Sequence, residues 1–202
     1  MNENVQRLGL TFLLALALAL LLSPMRALAA DMGAAHVLVA KRQLTDPFYR
    51  STVLLVRPIG NDQHIGLILN RPTKMTLGQL FPEHGPSQKV PDPVYVGGPS
   101  NASVLFAIVK SKTSPGGKSL RIMPELFMAF EGETVDHIIE TDPSHARFLA
   151  GLVTWQPGEL REEIKRGAWF LLDPDADIVL RKQTDGMWEE LVRRAEFRAN
   201  GI

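Results

Sequence analysis

Two runs of aliphatic and β-branched residues, 52–57 (TVLLVR) and 64–70 (HIGLILN), are separated by only six residues, among them Pro58-Ile59-Gly60-Asn61-Asp62. The intervening residues are turn chemistry, so the two runs read as an antiparallel hairpin. Neither run alternates apolar with polar residues. Near-continuous apolar character predicts strands covered on both faces, and therefore layers on both sides of a sheet. The chain has 202 residues, enough for one domain with a sizeable core.

Shorter segments extend this sheet. Residues 36–40 (HVLVA), 94–96 (VYV), 104–110 (VLFAIVK), 120–123 (LRIM) and 168–172 (AWFLL) read as strands. Thr76 is placed to cap a helix of one to two turns through Phe81. Val135, Ile138 and Ile139 recur at helical spacing within residues 133–140. Pro157 and Gly167 bracket a helix over residues 157–165, and Asp185 stands where it would cap a last helix to Arg194. Residues 148–155 fit a buried strand, although Asp142-Pro143 resembles a helix start. Strands and helices mix without a βαβ rhythm. The expected fold class is therefore α+β: a single compact domain over residues 30–202, with a mixed, mainly antiparallel sheet and flanking helices.

The first residues have another character. Arg7 precedes an almost wholly apolar run, residues 8–22, followed by Pro24, Arg26 and the small residues Ala27 and Ala29. A charged start, a short apolar stretch and an A-x-A site describe a secretory signal with cleavage after Ala29. The run is shorter than the ~20 residues a membrane-spanning helix needs. An uncleaved N-terminal anchor is the alternative, and it would be the chain's one route to a membrane. The expected location is periplasmic or secreted. Removing Arg7, Arg26 and Glu3 from a chain of 22 basic and 22 acidic residues leaves a remainder close to neutral. Such a surface has no electrostatic reason to hold nucleic acid or anionic lipid. The absence of cysteine removes thiol chemistry, iron–sulfur clusters and cysteine-ligated zinc.

Motifs with chemical content are few. Pro115-Gly116-Gly117-Lys118-Ser119 ends like a phosphate-binding loop, but Lys112 stands where its first glycine belongs and a strand-like segment follows instead of a helix. His36, His64, His84, His137 and His145 show no metal-ligand spacing, so neither metal nor cofactor is expected. Ser51, Ser103 and Ser119 have no recognisable base nearby, and Asn101-Ala102-Ser103 is a glycosylation sequon that matters only in a eukaryotic secretory pathway. Trp155, Trp169 and Trp188 read as core anchors rather than ligand platforms. What remains is a polar set at strand ends. Asp46, Arg50, Asn70 and Arg71 flank the hairpin, and Gly97-Gly98 follows another strand. Arg50 and Arg71 have the chemistry of a fork for carboxylate or phosphate. A plainer structural reading of the same residues weighs more. Asp46-Pro47 would make a turn, Asn70 would satisfy backbone groups, and Arg71 would pair with a carboxylate.

Several motifs in order carry a family resemblance. Leu44-Thr-Asp46-Pro47-Phe-Tyr49-Arg50-Ser51, then Gly66-Leu-Ile-Leu-Asn70-Arg71-Pro72, resemble the opening motifs of the YqgE/AlgH family. Val94-Tyr95-Val96-Gly97-Gly98-Pro99 is similar to its central glycine motif. Trp155-Gln-Pro-Gly158-Glu-Leu160-Arg-Glu-Glu163-Ile164, followed by Trp169, is similar to its late signature. The resemblance spans residues 36–194. It implies a compact α+β domain and a strand over residues 148–155. It implies no reaction, and the family's transcriptional-regulator label comes without a DNA-binding motif. Arg57-Pro58 departs from the family pattern, where a histidine usually follows the first strong strand.

The leading functional expectation is an exported accessory or binding protein, without catalysis, whose partner is a protein, a peptide or a small anionic ligand held near Asp46, Arg50, Asn70, Arg71, Gly97 and Gly98. A transcriptional regulator, as the family label suggests, is the alternative. A hydrolase using Asp46 or His64 as acid or base ranks third, since neither has a partner visible in sequence.

Overall fold

The hairpin forms as its residues dictate. In the computed structural model, which describes residues 34–199, β2 (Val53–Gly60) and β3 (Gln63–Ile68) pair antiparallel, with Leu54 opposite Ile68 and Val56 opposite Gly66. β2 runs further than its apolar stretch, through Pro58 to Gly60 with a bulge, which shortens the turn to Asn61-Asp62. Both turn residues have positive φ (49° and 58°), the left-handed pair that matches strand twist in a two-residue hairpin. The apolar N-terminal run, expected to be a secretory signal cleaved after Ala29, lies outside the described residues.

The other strands build on this pair. β1 (His36–Ala40) lies between β2 and β10 (Trp169–Leu172), antiparallel to both. On the far side, β3 pairs with the C-terminal end of β9 (Ala146–Trp155), placing His64 opposite Trp155. β5 (Pro93–Val96) runs parallel to the middle of β9 and carries β4 (Pro72–Thr76) at its outer edge. β9's other edge pairs with β6 (Ser100–Lys110), followed by β8 (Leu126–Ala129) and β7 (Ser119–Met123). One parallel contact within a ten-stranded, otherwise antiparallel sheet makes the fold the expected α+β type.

Each face of the sheet is covered. Phe106 and Ile108 of β6 join Val37, Val39, Leu55 and Leu67 on one side, under Met187, Leu191, Val192 and Ala195 of a C-terminal helix. Ala107 and Val109 face the other way, onto Val135, Ile138 and Ile139 of a second helix. These helices are α5 (Met187–Ala199) and α2 (Gly132–Thr141). α1 (Leu77–Leu80) is capped by Thr76 in a reciprocal box with Gln79. α3 (Glu159–Lys165) starts from Gly158 at φ 82°, and Gly167 at φ 79° turns the chain into β10. α4 (Ala176–Val179) bridges β10 to α5.

Several features differ from the sequence expectation, among them α4 and the start of β9 at Ala146. β6 begins at Ser100, because residues 101–104 bulge outward between the pairs Ser100–Leu152 and Leu105–Ala150. The last helix continues past Arg194 to Ala199, its buried face being completed by Ala195. β4 and β8 are additional strands, each too short to show a periodic pattern.

A buried cation ties these layers together. Arg147 of β9 is 1% exposed and stacks on the Tyr95 ring at 4.0 Å. Its Nη1 donates to the Val179 carbonyl at 2.9 Å and its Nη2 to the Leu69 carbonyl. Burial lowers its pKa to about 10. Tyr95 in turn donates to the Lys182 carbonyl at 2.6 Å. Sheet, C-terminal segment and the end of β3 are thereby fixed in one place, immediately before Asn70 and Arg71.

Candidate functional site

The link from β1 to β2 is shaped by one carboxylate. Asp46 Oδ1 accepts the backbone N–H groups of Phe48 (2.8 Å) and Tyr49 (2.9 Å), while its carbonyl accepts Arg50 N–H at 2.8 Å. This local turn presents Phe48, Tyr49 and Arg50 in succession. Asn70 locks the far end. Its Oδ1 accepts Val53 N–H and its Nδ2 donates to the Ser51 carbonyl, each at 2.8 Å. Asp46 and Asn70 are thus bonded to backbone as the structural reading anticipates.

Arg71 is placed differently. No carboxylate pairs with it among the described residues. Its guanidinium lies over the Phe48 ring at 5.0 Å, with Nη2 at 3.5 Å from the Arg50 carbonyl. Burial lowers the Arg71 pKa first, and the Arg50 charge lowers it further, while Asp46 and Tyr49 oppose both. Arg50 is exposed and lines a recess of about 210 Å3 together with Lys41, Arg42, Thr45 and Trp188. Arg42 is occupied there, bound to Glu196 at 3.0 Å.

Gly97 and Gly98 stand where backbones cross. Gly97 N–H donates to the Ala150 carbonyl at 2.7 Å, and its carbonyl accepts Ile68 N–H at 2.8 Å. A Cβ on Gly97 would collide with the Gly151 carbonyl, and one on Gly98 with Leu152 backbone. The pair lies against β9, with no space beside it for a ligand.

A cluster that the strand-end residues did not indicate lies on the other side of Tyr49. Tyr49 and Trp169 meet edge to face at 6.4 Å. Glu163 of α3 accepts both indole N–H groups on one oxygen, Trp169 at 2.7 Å and Trp155 at 3.1 Å. These residues, with Asp46, Gln43 and Arg166 nearby, surround a cavity of about 360 Å3, lined by all of them except Trp155. Burial raises the Tyr49 pKa, and Glu163, Asp46 and Glu159 raise it further, against Arg71. In sequence, Asp46 was a binding candidate, Trp155 and Trp169 read as core anchors, and Tyr49 and Glu163 were marked solely by falling inside the motifs quoted for the family resemblance.

The chain's motifs and fold agree with known proteins. A sequence model of AlgH-like domains matches residues 37–200. The chain belongs to this AlgH-like family. A family relative from Thermobifida fusca, called a UPF0301 protein, is 32% identical over 167 residues, covering 78% of this chain and 84% of that one. Another UPF0301 protein, from Chlorobaculum tepidum, is 26% identical over 160 residues and covers 78% and 83%. The solution structure of AlgH from Pseudomonas aeruginosa superposes with a TM-score of 0.66 at 24% identity, covering 79% of this chain and 86% of that one. A crystal structure from Corynebacterium diphtheriae gives 0.67 at 24%, covering 80% and 86%. At that identity the two structures speak for the AlgH-like fold alone.

Other sequence candidates are not drawn into a common centre. His64 is buried with Nδ1 against the Asp62 carbonyl at 3.1 Å, and no hydrogen bond connects it to Asp46. His84 contacts Ser87 Oγ at 2.7 Å, yet Ser87 is fully buried and closed to any substrate. Among the described residues, no three metal-ligating side chains come together.

Proposed function

We propose that this AlgH-like protein is an exported, non-enzymatic binding domain that receives an anionic group, carboxylate or phosphate, between Arg50 and Arg71. One observation carries the reading: Arg71 lies over Phe48 and reaches the Arg50 backbone, while neither guanidinium has a carboxylate partner among the described residues. Two like charges held near each other repel, and an anion bound between them removes that cost. Lys41, on the rim of the adjoining recess, adds a third positive charge. Export is supported by the apolar run and the A-x-A site at Ala27 and Ala29.

Titration with inorganic phosphate and with acetate, followed by calorimetry, tests the binding site. Saturable binding that disappears in the Arg50→Ala/Arg71→Ala double variant, with an almost unchanged thermal midpoint, is the expected result. Loss of stability without any effect on anion binding would assign both arginines to the scaffold. Intact mass and cell fractionation test export: a chain beginning at Ala30 outside the cytoplasm is expected. A full-length cytoplasmic chain that binds DNA in a salt-sensitive manner would favour the regulator instead.

A further inference from the structure

The cavity beside Tyr49 has the opposite character to the arginine pair. At about 360 Å3 it stands at the small end of ligand cavities. Tyr49 and Trp169 supply two aromatic walls. Glu163 supplies the charge. Its Oε2 is held by two indole N–H groups, whereas its Oε1 accepts from no described residue. The indole N–H groups carry no formal charge, so they fix the carboxylate in position without supplying a counter-ion. Asp46, on the same wall, is likewise held only by backbone N–H groups. Arg166 also lines the cavity but forms no ion pair with Glu163, so the acid has no internal counter-ion among the described residues.

We propose that this cavity binds a small organic ammonium ion, its charge on Glu163 and its alkyl groups against the Tyr49 and Trp169 rings. Aromatic faces attract cations through their quadrupole, most strongly when water is displaced. A neutral apolar ligand would bury Glu163 Oε1 without a partner, which costs free energy. A hard metal ion would need six or so oxygen ligands, more than this wall presents. The raised Tyr49 pKa supports the same polarity, since after burial its causes are three carboxylates opposed by one arginine. The inference is independent of the anion site, because Glu163 takes no part in the arginine pair.

Tryptophan fluorescence and calorimetry on the whole chain would use butylammonium and tetramethylammonium, with 1-butanol and butyrate as controls. Saturable binding of the ammonium ions, at least about tenfold tighter than 1-butanol, is expected. Butylammonium binding tighter than tetramethylammonium would mean hydrogen bonding to Oε1, and the reverse order would mean recognition by the rings; either order supports the site. Glu163→Gln keeps an oxygen for the indoles but removes the charge, and should weaken ammonium binding about tenfold or more while phosphate binding at the arginines persists. Tyr49→Leu should weaken it through the ring instead. Equal affinity for 1-butanol, or no saturable ammonium binding by the wild-type chain, would overturn the proposal even if neither variant folds. Unchanged affinity in folded Glu163→Gln would also overturn it.

Discussion

Arg147 shows how a single side chain can carry a charge inside this molecule without a carboxylate bonded to it. Two backbone carbonyls and the Tyr95 ring replace water around the guanidinium. Arg147→Ala would strand both carbonyls and leave a void, so it should cost about 3 kcal/mol or more in urea unfolding. Arg147→Met keeps most of the volume and removes a charge that burial already penalises, so roughly half that loss is expected. The two tyrosines allow a second measurement at this scale. Tyr49 and Tyr95 both have pKa values raised above the ordinary 10.0, chiefly by burial. Phenolate absorbance of the folded protein should therefore rise later than that of the urea-unfolded chain. Above pH 10.0 the unfolded chain loses these protons first, so this contribution to stability is full below that pH and is lost as pH rises through the folded values. Tyr49→Phe should leave one late-titrating group.

Among the elements, the crossing of β5, β3 and β9 at Gly97-Gly98 is the least tolerant point. Either glycine would place a Cβ into β9 backbone, and Gly98→Ala should destabilise by at least about 2 kcal/mol, measured as a fall in the urea midpoint. Thr76→Ala, by contrast, removes one capping box and should cost about 1 kcal/mol. The β2–β3 hairpin was readable because long apolar runs bracket a turn whose residues tolerate positive φ. β8 was not, since four apolar residues after Pro124 and Glu125 carry no periodicity to tell strand from loop. β9 is buried on both faces and bends at Gly151 (φ 74°), so neither helical nor alternating pattern survives in it. The same reasoning separates the two sites. Arg50 and Arg71 were visible as charges at strand ends. The cavity was not, because Tyr49 and Glu163 are distant in sequence and meet only once β10 has closed against β1.

At the scale of the whole molecule, strands such as β6 and β9 contribute alternate residues to both hydrophobic clusters. Neither cluster can dissolve without exposing the other, so unfolding should be a single transition. Tryptophan fluorescence and far-ultraviolet circular dichroism should give one urea midpoint; separate midpoints would show that the α2 face and the α5 face melt independently. The placement of β1 has a consequence for how the chain reaches this state. Its partner β2 follows it closely, but its other neighbour β10 and the covering helix α5 are among the last segments made. During synthesis the first strand therefore waits, with one edge and one face open, until nearly the whole chain has emerged. Its apolar residues, Val37 and Val39 among them, are during that interval the kind of surface a holding chaperone recognises.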